Sequence, residues 1–276
     1  MQSKFLWIAA ASAATAAAQV PARLCGTAQP TMDDLVIAAG LAAEGKDNRR
    51  GLHPEDPIVV PTLFHVLAIN ETVAGGYLTE KSLQDQLDVM NADFGPSNVI
   101  FNLTATTRTV NRRWAQDLDE IPMRRALRQG GQETLNIYFM PYVSGYLGYC
   151  TFPNFWDAGS DEFIYDGCAV LSDSLPGGAL ARYNLGRTAT HEIGHWFDLF
   201  HTFSGGCGCV GDMIHDTPAM HNATGGCPVG KDTCPDRPGL DPIHNYMDYS
   251  DDACMNEFTP GQNFRMRSAW YNIRTK

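Results

Sequence analysis

The chain has 276 residues, 44% of them apolar and 18% charged, with 26 Gly, 16 Pro and eight Cys. Such a composition suits one or two globular domains and excludes a collagen-like or disordered chain. Asp and Glu outnumber Lys and Arg 31 to 20, a net charge of −11 that excludes nucleic acid as a partner, because neutralising phosphates needs clustered cations.

Residues 1–18 have the pattern of a secretory signal: Lys4 at the start, an apolar stretch from Phe5 to Ala10, and small residues at Ala16 and Ala18 before Gln19. No other segment approaches the length of apolar chain that crosses a membrane. The expected product is a soluble, secreted, extracellular monomer. In an oxidising compartment an even number of cysteines defaults to disulfides. Asn70, Asn102 and Asn222, each two residues before a threonine, are candidate N-glycosylation sites. Residues 19–56 read as a leader or propeptide, with Arg49-Arg50 a candidate processing point on an exposed loop or else an ordinary solvated pair.

From Ile58 a β-rich apolar run predicts a buried strand, with His65 as a core histidine. Thr79 caps a predicted helix that puts Leu83, Leu87, Met90 and Phe94 on one face. Strands are predicted at Val99 to Leu103 and Leu135 to Met140, and a short helix at Met123 to Arg128. Helices and strands mingle up to about residue 200, which points to an α+β fold around a mixed sheet. From Gly205 to Pro242 the chain turns to Gly, Cys, Asp and Pro with no periodicity, a loop too long to be held by an apolar core. Thr259-Pro260-Gly261-Gln262 forms a capping box that opens a last helix, Asn263 to Ile273.

The run from Thr188 to His201 carries the chemistry. His191 and His195 lie four apart, so on a helix they differ by about 40° and one turn and can aim at one metal ion. Glu192 beside them can reach a water held there without being a ligand itself. A chance HExxH occurs in about one sequence per hundred of this composition, so His201 at its fixed offset decides the matter: it completes three nitrogens around a zinc ion with an open fourth position. Reaching it requires the chain to turn sharply after Phe197.

HEIGHWFDLFH followed by Thr202-Phe203 resembles the zinc-binding consensus of the metzincin metallopeptidases, and its HWF…HTF flavour is similar to the pappalysin family. Asn245 to Met255 resembles that family's Met-turn, and Phe258 to Met266 its closing helix. The resemblance implies a metzincin-like catalytic domain at 57–276: an upper subdomain to about residue 201 with a twisted mixed sheet and the active-site helix, and a disulfide-bound, loop-rich lower subdomain at 202–276. It implies zinc on His191, His195 and His201, Glu192 as general base, Met247 as an apolar floor and Tyr249 as oxyanion stabiliser, acting on peptide or protein substrates. It also suggests the bridges Cys207 with Cys234 and Cys227 with Cys254, while Cys150 and Cys168 pair plausibly across their own loop. Cys25 resembles the cysteine switch of metzincin proenzymes, and its rival is a Cys25 to Cys209 disulfide. The family's turn glycine is Asp198 here, a residue type that also visits the left-handed region. Asp212 and Asp216, with Asp232, Asp236 and Asp241 nearby, are calcium candidates or else a solvated acidic loop. The rivals to a secreted zinc endopeptidase are a non-catalytic binding module on the same fold and a zinc hydrolase of non-peptide substrates. The intact set of His191, Glu192, His195, His201, Met247 and Tyr249 opposes the first.

Overall fold

In a computed structural model the protein is described over residues 24–47, 56–208 and 211–276. The signal segment with Lys4, Ala16 and Ala18, the Arg49-Arg50 pair and Cys209 fall outside those residues.

Helix α1 (Met32–Asp47) precedes strand β1 (Ile58–Ala68), helix α2 (Glu80–Phe94) and strand β2 (Val99–Val110). Then follow α3 (Glu120–Leu127), β3 (Leu135–Met140), β4 (Gly148–Cys150), α4 (Asp161–Tyr165) and β5 (Cys168–Leu171). Active-site helix α5 (Arg187–Trp196) and closing helix α6 (Pro260–Ala269) complete the chain, the latter running into a wide turn over Trp270–Arg274. The strands form one sheet ordered β2-β1-β3-β5-β4. Its first four strands are mutually parallel, and β4 lies antiparallel at the edge.

Alternation along β1 divides the core. Ile58, Val60, Phe64 and Val66 face α2 and α5 together with Phe94, Ile193 and Trp196. Leu67 faces the α3 side, with Met123, Tyr138 and Ala169. His65 also lies on that side, fully buried, stacked 4.8 Å from Tyr138, with Nδ1 2.8 Å from Thr107 Oγ1 and Nε2 3.0 Å from Asn136 Oδ1. Desolvation there lowers its pKa to about 4, so the ring is neutral.

Thr79 accepts from Ser82 N–H and opens α2, whose Leu83, Met90 and Phe94 are buried. Strand β2 continues seven residues past the predicted Leu103, because the β-branched run after it keeps pairing with β1 beyond a bulge at Thr62/Leu63. The last helix starts at Pro260, three residues before the prediction, as its capping box requires. Helix α1 has no counterpart in the sequence reading. It packs Leu41, with Ile37 alongside, on Ala269 and Ile273 at the end of the chain.

Beyond His201 the path is set by covalent and polar ties. Cys207–Cys234 and Cys227–Cys254 are bridged, and Cys150–Cys168 joins β4 to β5. Buried aspartates accept from loop amides: Asp248 from Thr224 N–H at 3.0 Å and Asp241 from Thr233 N–H at 2.9 Å. These amides have no ladder to join, and each buried donor left unmatched costs about 1–3 kcal/mol.

Candidate active site

Every residue of α5 from Thr188 to Trp196 is buried, so the helix forms the central layer between sheet and lower loop. Acidic groups stand at its N-terminus and basic ones at its C-terminus, matching the helix dipole. Asp252 accepts from Leu185 and Arg187 N–H, and Asp93 of α2 accepts from Thr190 Oγ1 at 2.6 Å and Arg187 Nη1 at 2.7 Å. At the other end the fully buried Arg274 donates through Nη2 to the Trp196 carbonyl at 2.9 Å, its guanidinium 3.9 Å above the Trp196 ring.

The helix ends in a Schellman turn. Leu199 N–H bonds the Gly194 carbonyl at 2.9 Å, Asp198 N–H bonds the His195 carbonyl at 2.9 Å, and Asp198 is left-handed at φ 71°. Asp198 therefore performs the turn for which the family uses glycine. Its carboxylate is buried and bound 3.2 Å from Nη1 of the equally buried Arg265 in α6. Burial raises the Asp198 pKa to about 7, with Arg265 pulling the other way.

That turn brings the Leu199 carbonyl back onto His195 Nδ1 at 2.7 Å, while His191 Nδ1 donates to the Tyr246 carbonyl at 2.7 Å. Both rings thus carry their proton on Nδ1 and present Nε2 lone pairs to the interior. His195 Nε2 and His201 Nε2 lie 3.1 Å apart. Desolvation lowers His195 to about 4 and depresses His201 as well, so both are neutral and ligand-competent. The nearest ligand atoms of Cys25, His191, His195 and His201 all lie within 4.8 Å of one another. A tetrahedral zinc with ordinary bond lengths separates two nitrogens by about 3.3 Å and nitrogen from sulfur by about 3.6 Å. The observed 3.1 Å between His195 and His201, and 3.5 Å from Cys25 Sγ to His195 Nε2, fit that ion.

Glu192 is buried beside this cluster, its Oε2 accepting from Cys25 Sγ and Thr27 Oγ1, each at 3.1 Å. Gly148 makes room for it, since a Cβ there would stand 2.8 Å from Glu192 Cγ. Met247 lies fully buried under α5, and a Cβ on Gly194 would overlap its sulfur. The Met-turn is itself braced by a reciprocal amide pair, Asn245 Nδ2 to Gln262 Oε1 at 2.7 Å and Gln262 Nε2 to Asn245 Oδ1 at 2.9 Å. Tyr249 packs its ring 5.0 Å from His201 and 5.6 Å from His191.

Residues 24–27 enter this cleft along the edge of β4. Leu147 N–H bonds the Leu24 carbonyl at 2.8 Å and Gly26 N–H bonds the Gly148 carbonyl at 2.7 Å, a parallel bridge on the β4 edge. Cys25 N–H donates to Tyr249 OH at 3.3 Å. Thr27 Oγ1 accepts from Cys150 N–H at 3.0 Å. Cys25 is a free thiol here, and Cys209, its partner in the rival disulfide reading, lies outside the described residues. Burial, and then the Glu192 charge, push the Cys25 pKa well up. Thr27, Gly148, Gly194, Asp93 and Arg274 escaped the sequence reading. Gly194 had a signal, a poor helix former inside the histidine motif, whereas the others act across long sequence separations.

The calcium candidates separate. Asp216 accepts from Thr259 Oγ1 at 2.7 Å and Gly261 N–H at 2.8 Å, at the N-terminus of α6. Asp212 is buried, with Oδ1 bonded to Ile214 N–H and Thr217 Oγ1 and Oδ2 without a partner among the described residues. It lines a cavity of about 690 Å³ with Thr202, Met213 and His215, and burial raises its pKa to about 7.

Residues 160–270 match the peptidase M43 family model, pregnancy-associated plasma protein-A. An extracellular metalloprotease of Verticillium alfalfae is 99% identical over 276 residues, the whole of both chains. One from Colletotrichum graminicola is 50% identical over 279 residues, covering 99% of this chain and 100% of its own. Among solved structures, a Tannerella forsythia promirolysin mutant is similar with TM-score 0.68 and 27% identity, covering 90% of this chain and 94% of its own. Mature mirolysin in complex with a cleaved peptide gives TM-score 0.64 and 29% identity, covering 78% of this chain and 92% of its own.

Proposed function

The chain belongs to the peptidase M43, or pappalysin, family of metallopeptidases, and from that premise we propose how its residues divide the work of an extracellular zinc endopeptidase. One observation carries the assignment: the inward Nε2 edges of neutral His195 and His201 meet beside His191, with Glu192 next to them. His191, His195 and His201 hold the zinc. When bound, zinc supplies a Lewis acid that polarises the scissile carbonyl and acidifies water. Glu192 takes the proton from the attacking water and returns it to the leaving amine. Tyr249, poised at the rim, donates its hydroxyl to the oxyanion, and Met247 backs the histidine rings from below. The substrate is a peptide or protein, and the enzyme acts as a monomer.

Residues 1–18 are the export signal, 19–56 a removable leader and 57–276 the catalytic domain. The leader makes the full chain latent. Cys25 would hold the zinc with its sulfur, the ion's charge drawing off the proton that burial otherwise keeps on the thiol, and Thr27 occupies the general base. Support comes from the 3.5 Å approach of Cys25 Sγ to His195 Nε2 and from the wider coverage of this chain by promirolysin than by mature mirolysin. The unmatched Oδ2 of buried Asp212 beside its cavity supports a calcium ion there, since carboxylate oxygen is the ligand calcium takes.

The test is casein hydrolysis by the leader-free protein. Chelation should abolish it, zinc should restore it, and Glu192→Ala should lower kcat by about a thousandfold at unchanged fold. Activity that survives both the chelator and the substitution overturns the assignment.

A further inference from the structure

Among the described residues the sheet leaves an apolar strip uncovered. Val99 and Phe101 of β2 point into the α2 core, at 0% and 2% exposure, so Ile100 and Asn102 point to the opposite face. On that face Ile100 is 46% exposed and pairs in register with Val59 of β1, 47% exposed; Asn102 pairs with Pro61. Farther along the same face of β1, Leu67 is packed with Met123 of α3, so the helical cover stops before the strip is reached. Adjacent exposed apolar side chains on edge strand β2 and its neighbour β1 invite association with a second chain.

Asn102 begins one of the three glycosylation sequons, and it alone lies within a strand, one pleat along from Ile100 at about 7 Å. Asn70 by contrast is folded into its own turn, its Oδ1 accepting from Thr72 N–H at 3.0 Å and Thr72 Oγ1 at 2.6 Å.

We propose that Asn102 carries an N-linked glycan whose inner sugars lie across Val59 and Ile100 and keep this face from associating. The modification precedes folding in the export pathway. Asn102 Nδ2 displaces the phosphate oxygen at the anomeric carbon of a lipid-linked oligosaccharide pyrophosphate. A C–N bond forms as the C–O bond breaks, the amide loses one proton, and the lipid pyrophosphate leaves. The sugar then offers its hydroxyls to water and its C–H face to the aliphatic pair, which is what a bulky, solubilising surface group supplies.

The experiment uses the full chain secreted from a glycosylating yeast. Enzymatic deglycosylation in heavy-oxygen water, followed by peptide mass mapping, should label Asn102. Asn102→Gln and Thr104→Ala should each remove one glycan mass, raise anilinonaphthalene-sulfonate fluorescence about twofold and shift sedimentation toward dimers, with casein activity per folded molecule unchanged once residues 19–56 are removed. Adding Ile100→Thr to Asn102→Gln should reverse the dye and sedimentation changes, while Asn70→Gln should leave both as in the parent. Should a variant fail to be secreted, the deglycosylated parent protein provides the same two readings. An unlabelled Asn102, or a glycan whose removal alters neither dye binding nor sedimentation, overturns the proposal.

Discussion

Up to His201 the chain is held by apolar surface, with Phe64, Phe94, Phe139, Ile193 and Trp196 in one cluster between sheet and helices. Between Thr202 and Thr259 the described residues form no strand pair beyond a single bridge and no helix beyond one three-residue turn. Two disulfides, buried aspartates and the Asn245–Gln262 amide pair replace that core. Both regions meet at one site, the upper supplying the histidines and Glu192 and the lower setting Met247 and Tyr249 against them, so precision at a site does not require a large apolar core. It requires that each polar group have one satisfied geometry. The upper region obtains this from packing, the lower from bonds with direction.

If this division is right, the two regions should break differently. Phe64→Ala, in the upper core, should cost about 4 kcal/mol in urea unfolding. Cys227→Ala with Cys254→Ala, which opens a bridge across 27 residues, should cost roughly 3.5 kcal/mol by chain entropy. That variant should keep its sheet signal in circular dichroism while losing casein hydrolysis. Equal loss of sheet signal in both would mean that the lower loop is part of the upper cooperative unit.

Acid should act first on the upper region. His65 is held neutral with a folded pKa of about 4, against about 6.5 in the unfolded chain. Between those values the unfolded chain binds the proton and the folded one does not. Its contribution is therefore fully present above pH 6.5 and is lost as pH falls toward 4, by roughly 3 kcal/mol at most. Urea midpoints from pH 7 to 4.5 should fall less steeply for His65→Gln than for the parent, and parallel curves would refute the assignment.

The smallest effect sharpens the boundary between the regions. Asp198→Gly relaxes the left-handed turn but leaves Arg265 buried against the Met213 carbonyl without its carboxylate. A net loss of about 2 kcal/mol is expected, together with weaker zinc retention in a chelator competition. Adding Arg265→Met should recover most of both. An unchanged double variant would show that packing alone holds the turn.

The histidine motif, the Met-turn, the α6 capping box and the α2 cap were legible because their signals are local, within a dozen residues. Asp198 could be understood in advance because backbone preference belongs to a single residue. The three-residue strand β4 was not legible, since Gly148 to Cys150 is too short to show alternation. Asp93 and Arg274 were not, because each meets α5 from 78 residues or more away and an isolated charged residue carries no period. Thr27 had no signal at all, since its contacts with Glu192 and Cys150 exist only once residues 24–27 lie along β4.

Residues 24–47 touch the rest of the chain at two distant places, the cleft through Cys25 and Thr27 and the chain's end through Leu41 of α1. A cut within residues 48–55 severs none of these contacts. On the proposal that residues 19–56 inhibit the enzyme, such a cut converts a tethered segment, held at a local concentration of about a millimolar, into a separate peptide whose occupancy follows its own dissociation constant. Scission and the opening of the cleft are then different events with different clocks. On the same proposal a nicked enzyme stays silent in a small volume and wakes on dilution, so casein hydrolysis per enzyme molecule, measured across a dilution series after nicking, should rise with dilution as it does not for an inhibitor-free protein.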